Sequence, residues 1–286
     1  MSYHVHDKTR CLLGEGALWH PIRHQLFWVD ILDHKVLTQV DGETISRRFN
    51  GYVGAIFPVD RDRMIVHESG RLTLWTIDTD AREELARVES DRSDNRPNDG
   101  RADPQGGLWC STMGLGAETG QGAIYRWYKG ELRQLYPTIS IPNGICFAPD
   151  GRHAYFTDTP DQYIRRVALD ADGWPASDPE VWIDLRGTDH NPDGAVTDAD
   201  GNVWNAQWGS YRIACYAPDG RFVGEVPFGA AQTSCPAFGG DDLSTLYCTS
   251  ASVGIAELDM GAYPDTGTVM AMPGAGRGKP EWCVTL

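Results

Sequence analysis

One pattern recurs along this chain and restricts what it can fold into. An apolar strand runs into a turn rich in Asp and Gly, and a second strand follows with an aromatic residue near its start. Copies lie at residues 17–30, 101–109, 145–156, 195–204 and 237–247, with a degenerate sixth copy at 56–66. Equivalent positions in the second strands are Trp28, Met64, Trp109, Tyr155, Trp204 and Tyr247, so the intervals are 36, 45, 46, 49 and 43 residues. A four-stranded propeller blade takes about 40–50 residues. Gly in the Asp-Gly turns supplies the positive φ of a tight hairpin. The segments between turns are short and rich in Val, Ile, Trp, Tyr and Thr, which are strand signals. The one helical candidate, 81–88, is weak and sits between two strand readings. A β-sandwich also shows turn signals every about 8–12 residues, but it would not repeat at blade length throughout. The chain is therefore expected to be all-β, a six-bladed β-propeller forming a single domain over 1–286. A ring of blades must close, so one terminus should lend a strand to the blade of the other, and 281–286 reads as a last short strand.

Composition narrows the partners. With 25 Lys plus Arg against 40 Asp plus Glu, the formal net charge is −15, and no run of basic residues occurs. Binding nucleic acid or an anionic membrane surface needs clustered cations, so neither partner is expected. The apolar run at 52–59 is far too short to span a bilayer, and Met1 to Arg10 has no apolar leader character. Seven cysteines form no C-x-x-C pair and no N-x-[ST] site occurs, which favours a reducing cytoplasm. Oligomeric state has no sequence signal.

Polar clusters interrupt strands that could be plain. They are Leu13-Gly-Glu-Gly16, Asn95-Arg-Pro-Asn-Asp-Gly100, Ile141-Pro-Asn-Gly144 and Asn191-Pro-Asp-Gly194. Taken singly, Asn-Gly and Asp-Gly are ordinary turns. Here they recur at equivalent positions in four repeats, just before an apolar inner-strand run. Equivalent positions in different blades converge on one end of the axis, so Glu15, Asn98, Asn143 and Asp193 should face one another. Carboxylate and amide oxygens without thiolate or imidazole suit a hard cation such as Ca²⁺, Mg²⁺ or Mn²⁺. Signatures of a serine nucleophile elbow, zinc protease, P-loop or dinucleotide fold are absent from the sequence.

These motifs, with Phe27-Trp-Val-Asp-Ile31, Ser111-Thr-Met113, Phe156-Thr-Asp158 and Phe238-Gly-Gly240, occur in an order that resembles the senescence-marker-protein/gluconolactonase/regucalcin family, in its bacterial aldonolactonase branch. The resemblance implies one divalent metal near the top of the channel, Ca²⁺ first, with Zn²⁺, Mn²⁺, Mg²⁺ or Fe²⁺ as alternatives. It assigns Glu15, Asn143 and Asp193 as ligands and Arg96 and Asn98 as substrate contacts. It also implies a sugar-binding acid after the Met113 motif, for which Glu118 is the nearest candidate, two positions late. Met113 and Trp208 are candidates to flank the pocket. His190 and Cys235 read as structural residues.

The implied chemistry is metal-dependent opening of sugar-acid lactones, in which the metal polarises the carbonyl and activates water and Asp193 acts as ligand and general base. Arg96 offers a planar cation for a developing oxyanion or a hydroxyl. The alternatives are a phosphotriesterase-like or promiscuous esterase on the same fold and a calcium-binding regulatory propeller without catalysis.

Overall fold

The burial of each strand follows its place in a blade. Val53–Pro58 is buried along its whole length, as is the adjoining Arg63–Glu68 beyond its first residue, whereas the charged Ala81–Arg87 is largely exposed. Strands apolar on both faces therefore sit near the axis, and strands rich in Arg and Glu form the rim. The computed structural model describes residues 2–256 and 261–286. Among these residues the strands form six four-stranded sheets, each running in sequence order from the axis outward except the last. The innermost strands are Gly14–His20, Val53–Pro58, Asn95–Ala102, Pro142–Phe147, Asn191–Thr197 and Thr233–Gly239. We number the blades 1 to 6 in that order. The expected six-bladed propeller is thus present, and 81–88 is an outer strand, not a helix.

Closure uses the N-terminal end of the chain. Blade 6 comprises Thr233–Gly239, Thr245–Ser250 and Val269–Met272, and His4–Asp7 adds antiparallel to the last of these, with His4 opposite Ala271. That strand covers the edge of blade 6 and ties the two ends of the chain together. The strand expected at 281–286 does not form, because His4–Asp7 already takes the outer place of blade 6. The C-terminal tail instead runs across the lower end of the ring. Ala275 and Gly278 donate backbone N–H groups to Ser244 and Leu243 of blade 6, and Ala199 of blade 5 donates to Arg277. Further on, Val284 donates to Pro58 of blade 2 and Thr285 to Gly106 of blade 3.

Repeat positions identified in the sequence form the seams between blades. Trp28, Met64, Trp109, Tyr155, Trp204 and Tyr247 all lie on second strands and are buried. Trp109 meets Phe147 of blade 4 edge-on at 5.5 Å, and Trp204 meets Phe238 of blade 6 at 5.4 Å. Edge-to-face pairs of this kind contribute about 0.5–1.5 kcal/mol beyond area burial.

Every innermost strand breaks register with its neighbour at the same height, between Glu15 and Leu18, Val53 and Ala55, Pro97 and Gly100, Asn143 and Cys146, Pro192 and Ala195, and Thr233 and Pro236. Such bulges re-aim side chains. The glycines beside them are needed for close approach between blades. A Cβ on Gly194 would lie 2.7 Å from the Ser234 carbonyl oxygen, and one on Gly54 would overlap the backbone of Asn98. Asn143-Gly144 and Asp193-Gly194 are therefore bulge and packing elements, whereas Asp150-Gly151 and Asp200-Gly201 make the expected turns between strands, with Gly at φ 69° and 84°.

Below the bulges, the Arg101 guanidinium donates to Glu281 of the tail at 2.7 Å, with both side chains 4% exposed. Removing one member of a buried pair strands the other charge, at a cost of about 3–5 kcal/mol. Glu281→Ala should therefore lower unfolding free energy by about that amount, measured by denaturant titration. Loss of the exposed Arg277–Asp200 pair in Asp200→Ala should leave the midpoint unchanged.

Candidate active site at the channel mouth

Glu15, Asn98, Asn143 and Asp193 come from blades 1, 3, 4 and 5, and all four line one cavity of about 380 Å³. Arg96 and Thr159 complete its polar surface, and Leu13, Leu32, Met113, Leu115, Ala117, Ile141, Trp208 and Val253 form the rest. Asn98, Asn143 and Asp193 are buried, and Glu15 and Arg96 are partly buried.

The amides are held in fixed orientation. Asn98 Nδ2 donates to the Pro142 carbonyl and to Asn143 Oδ1, both at 2.9 Å. Asn98 Oδ1 accepts from Arg96 Nη1 at 2.8 Å, and the same nitrogen donates to the Pro97 carbonyl. Asn143 Nδ2 donates to Thr159 Oγ1 at 2.9 Å, and that hydroxyl donates to the Pro192 carbonyl. These bonds spend the amide nitrogens on the protein, so Asn143 Oδ1 keeps its second lone pair for the cavity. Each carboxylate accepts one backbone N–H: Glu15 Oε2 from Gly16 at 3.1 Å and Asp193 Oδ1 from Gly194 at 3.0 Å.

A third carboxylate lies beneath them. Asp99 accepts from the backbone N–H groups of Gly100 and Ile145, each at 2.8 Å. Burial, then repulsion from Asp99, pushes the Glu15 carboxyl up to about 8. Burial followed by repulsion from Glu15 and Asp99 holds Asp193 well above the carboxylate range. Asp99 rises to about 6 through burial, although the Arg101 charge opposes it. Burial lowers Arg96 to about 10 against the pull of Glu15. Three acids thus crowd a space whose nearest cations do not neutralise them.

That imbalance and the all-oxygen donor set fit a hard divalent cation held by Glu15, Asp193 and Asn143 Oδ1. Among the described residues no group of three or more His, Cys, Asp or Glu gathers as a metal cluster, and the Asn143 amide lines the cavity beside the two carboxylates.

The structure brings Glu15, Arg96, Asn98, Asn143 and Asp193 together, with Met113 and Trp208 beside them. Glu118 stands apart: it is exposed, outside the cavity wall, and its carboxylate accepts from the Gly116 N–H of its own loop at 3.0 Å. His190 pairs with Ser210 Oγ at 3.1 Å, away from the cavity. Cys235 is buried beneath the site, 3.9 Å from Arg101 Nη2, with its thiol pushed well above its ordinary range by burial. Sequence reasoning missed Asp99 and Arg101. The available signal was two opposite charges, at 99 and 101, inside an innermost strand.

Residues 13–252 match the family described as the SMP-30/Gluconolactonase/LRE-like region. The chain is 31% identical over 283 residues to a pentonolactonase of Haloferax volcanii, covering 96% of this chain and 95% of that one. It is 32% identical over 271 residues to an L-arabinolactonase of Azospirillum brasilense, covering 91% and 88%. A crystal structure of a calcium-binding protein, regucalcin, from Agrobacterium tumefaciens superimposes with a TM-score of 0.97 at 36% identity, over 100% of this chain and 98% of that one.

The crowded acids make a pH-dependent signature. In the unfolded chain these carboxyls lose their protons near pH ~4, whereas in the folded chain Glu15 holds its proton until about 8. The unfolded state therefore binds fewer protons between these values, and stability falls as pH rises. Chelator-treated protein should lose melting temperature from pH ~5 to pH ~8, with a shallower loss in Glu15→Gln. Scanning fluorimetry of both proteins across that range checks this, and equal slopes would contradict it.

Proposed function

Because the chain belongs to the SMP-30/gluconolactonase/LRE-like family, we propose that it hydrolyses sugar-acid lactones to the corresponding aldonic acids, using one divalent cation, with Ca²⁺ the first choice. The carrying observation is the placement of Glu15 and Asp193, from different blades, on the floor of one cavity beside the Arg96 guanidinium. Relatives named as lactonases, similar over most of their length, support the reading. A purely cation-binding role would leave the remaining Arg96 donors at the cavity without an assigned partner.

Glu15, Asn143 and Asp193 would hold the cation, which when bound supplies Lewis-acid polarisation of the lactone carbonyl. Asp193 is the base we assign. Its Oδ1 is occupied by the Gly194 N–H, which leaves Oδ2 to accept a proton from the attacking water. A cation at the floor would offset the crowding that raises its proton affinity, leaving Asp193 as the carboxylate that a base must be. Among the described residues Arg96 donates through Nη1 alone, so its other donors can hold the oxygen on which charge develops. Collapse breaks the ring C–O bond, and the proton held at Asp193 passes to the departing ring oxygen, giving a hydroxyl and a carboxylic acid that releases its remaining proton to solvent. Asn98, fixed by its bonds to Pro142 and Asn143, orients Arg96 and keeps one lone pair on Oδ1 for a substrate hydroxyl. The seven cysteines are free thiols, and we place the enzyme in the cytoplasm.

Asp193→Asn keeps the shape and removes the base. It should lower kcat/KM for lactone opening by about 10³-fold or more in a pH-indicator assay corrected for spontaneous hydrolysis. Chelation should abolish wild-type turnover and divalent cation should restore it. Wild-type turnover in the variant would exclude Asp193 as the base.

A further inference from the structure

The walls of the cavity differ from its floor. Glu15, Arg96, Asn98, Asn143 and Asp193 gather at the bottom, while the walls above are Leu32, Leu115, Ala117, Ile141, Trp208 and Val253. Apart from the Trp208 indole N–H, these side chains offer no hydrogen-bonding group. Thr159, the remaining polar residue, has spent its donor on the Pro192 carbonyl.

The loop after Met113 creates this apolar side. Glu118 turns back onto Gly114 and Gly116, where a Cβ at either position would collide with its carboxylate. The Gly116 N–H bond secures it there, and Leu115 is anchored by its own N–H to the Asp94 carbonyl at 2.9 Å. The acid is thereby withdrawn, and Leu115 and Ala117 face the cavity in its place. Leu115 remains 47% exposed and Val253 38% exposed, as expected of side chains overhanging a mouth that awaits an apolar group.

A lactone seated with its carbonyl on the polar floor points its far substituents at these walls. A hydroxyl there loses water without gaining a partner, whereas a methyl group gains burial. We infer that the substrate is a deoxyaldonolactone, a lactone bearing a methyl or other apolar group at the end remote from the carbonyl in place of a hydroxymethyl. This rests on the lactonase reading and narrows its substrate class.

The test is a matched pair, galactono-1,4-lactone and its 6-deoxy analogue, assayed with wild type and with Leu115→Gln, whose exposed side chain makes folding insensitive to the change. Wild type should open the deoxy lactone with kcat/KM at least about tenfold higher. Leu115→Gln should shrink that ratio several-fold by improving the hydroxylated partner. Equal rates on the pair, or a preference for the hydroxylated lactone unaffected by Leu115→Gln, would overturn the inference and leave the lactonase reading standing. Failure to open either lactone, with divalent cation supplied, would overturn the lactonase reading itself.

Discussion

Arg101 reaches from blade 3 across the channel to the Ala195 carbonyl of blade 5 at 3.0 Å and the Ile145 carbonyl of blade 4 at 3.3 Å. Asp99, two residues earlier, takes the N–H of the same Ile145. These carbonyls lie just beyond Asn143-Gly144 and Asp193-Gly194, so one guanidinium pins the two bulges that carry Asn143 and Asp193. A charge buried this deeply must be paired, and its partner, Glu281, arrives from the opposite end of the chain. The site at the upper mouth is thus mechanically continuous with the tail at the lower one.

Much of the ring could be read from residue order, because the aromatic positions at Trp28, Trp109, Tyr155, Trp204 and Tyr247 repeat at blade length and become inter-blade seams. The cluster residues were also legible, since equivalent positions in a ring must converge. Glu118 illustrates where this reasoning stops. Its distance along the chain from Met113 says nothing of which way a loop folds, and two glycines let the carboxylate lie against its own backbone. The tail was misread for a related reason. The apolar run Trp282-Cys-Val284 suits a strand, but a strand needs an open edge, and His4–Asp7 takes it. Asp99 and Arg101 escaped because buried charges are recognisable only by partners that sequence keeps far apart.

The electrostatic logic of the floor and the apolar character of the walls divide the labour. Acids held near one another in a poorly solvated space store repulsion that a divalent cation would relieve, so under the proposed reading the floor would select for charge. The walls cannot discriminate by charge and select by shape and by the absence of hydroxyls. A change on one surface therefore alters affinity for the cation or for the substituent with little effect on the other.

The tail spanning the lower end makes the channel a blind vestibule. Reactant and product would then share a single doorway at the upper mouth. An opened product must therefore leave before the next lactone can enter, so exit and entry cannot overlap.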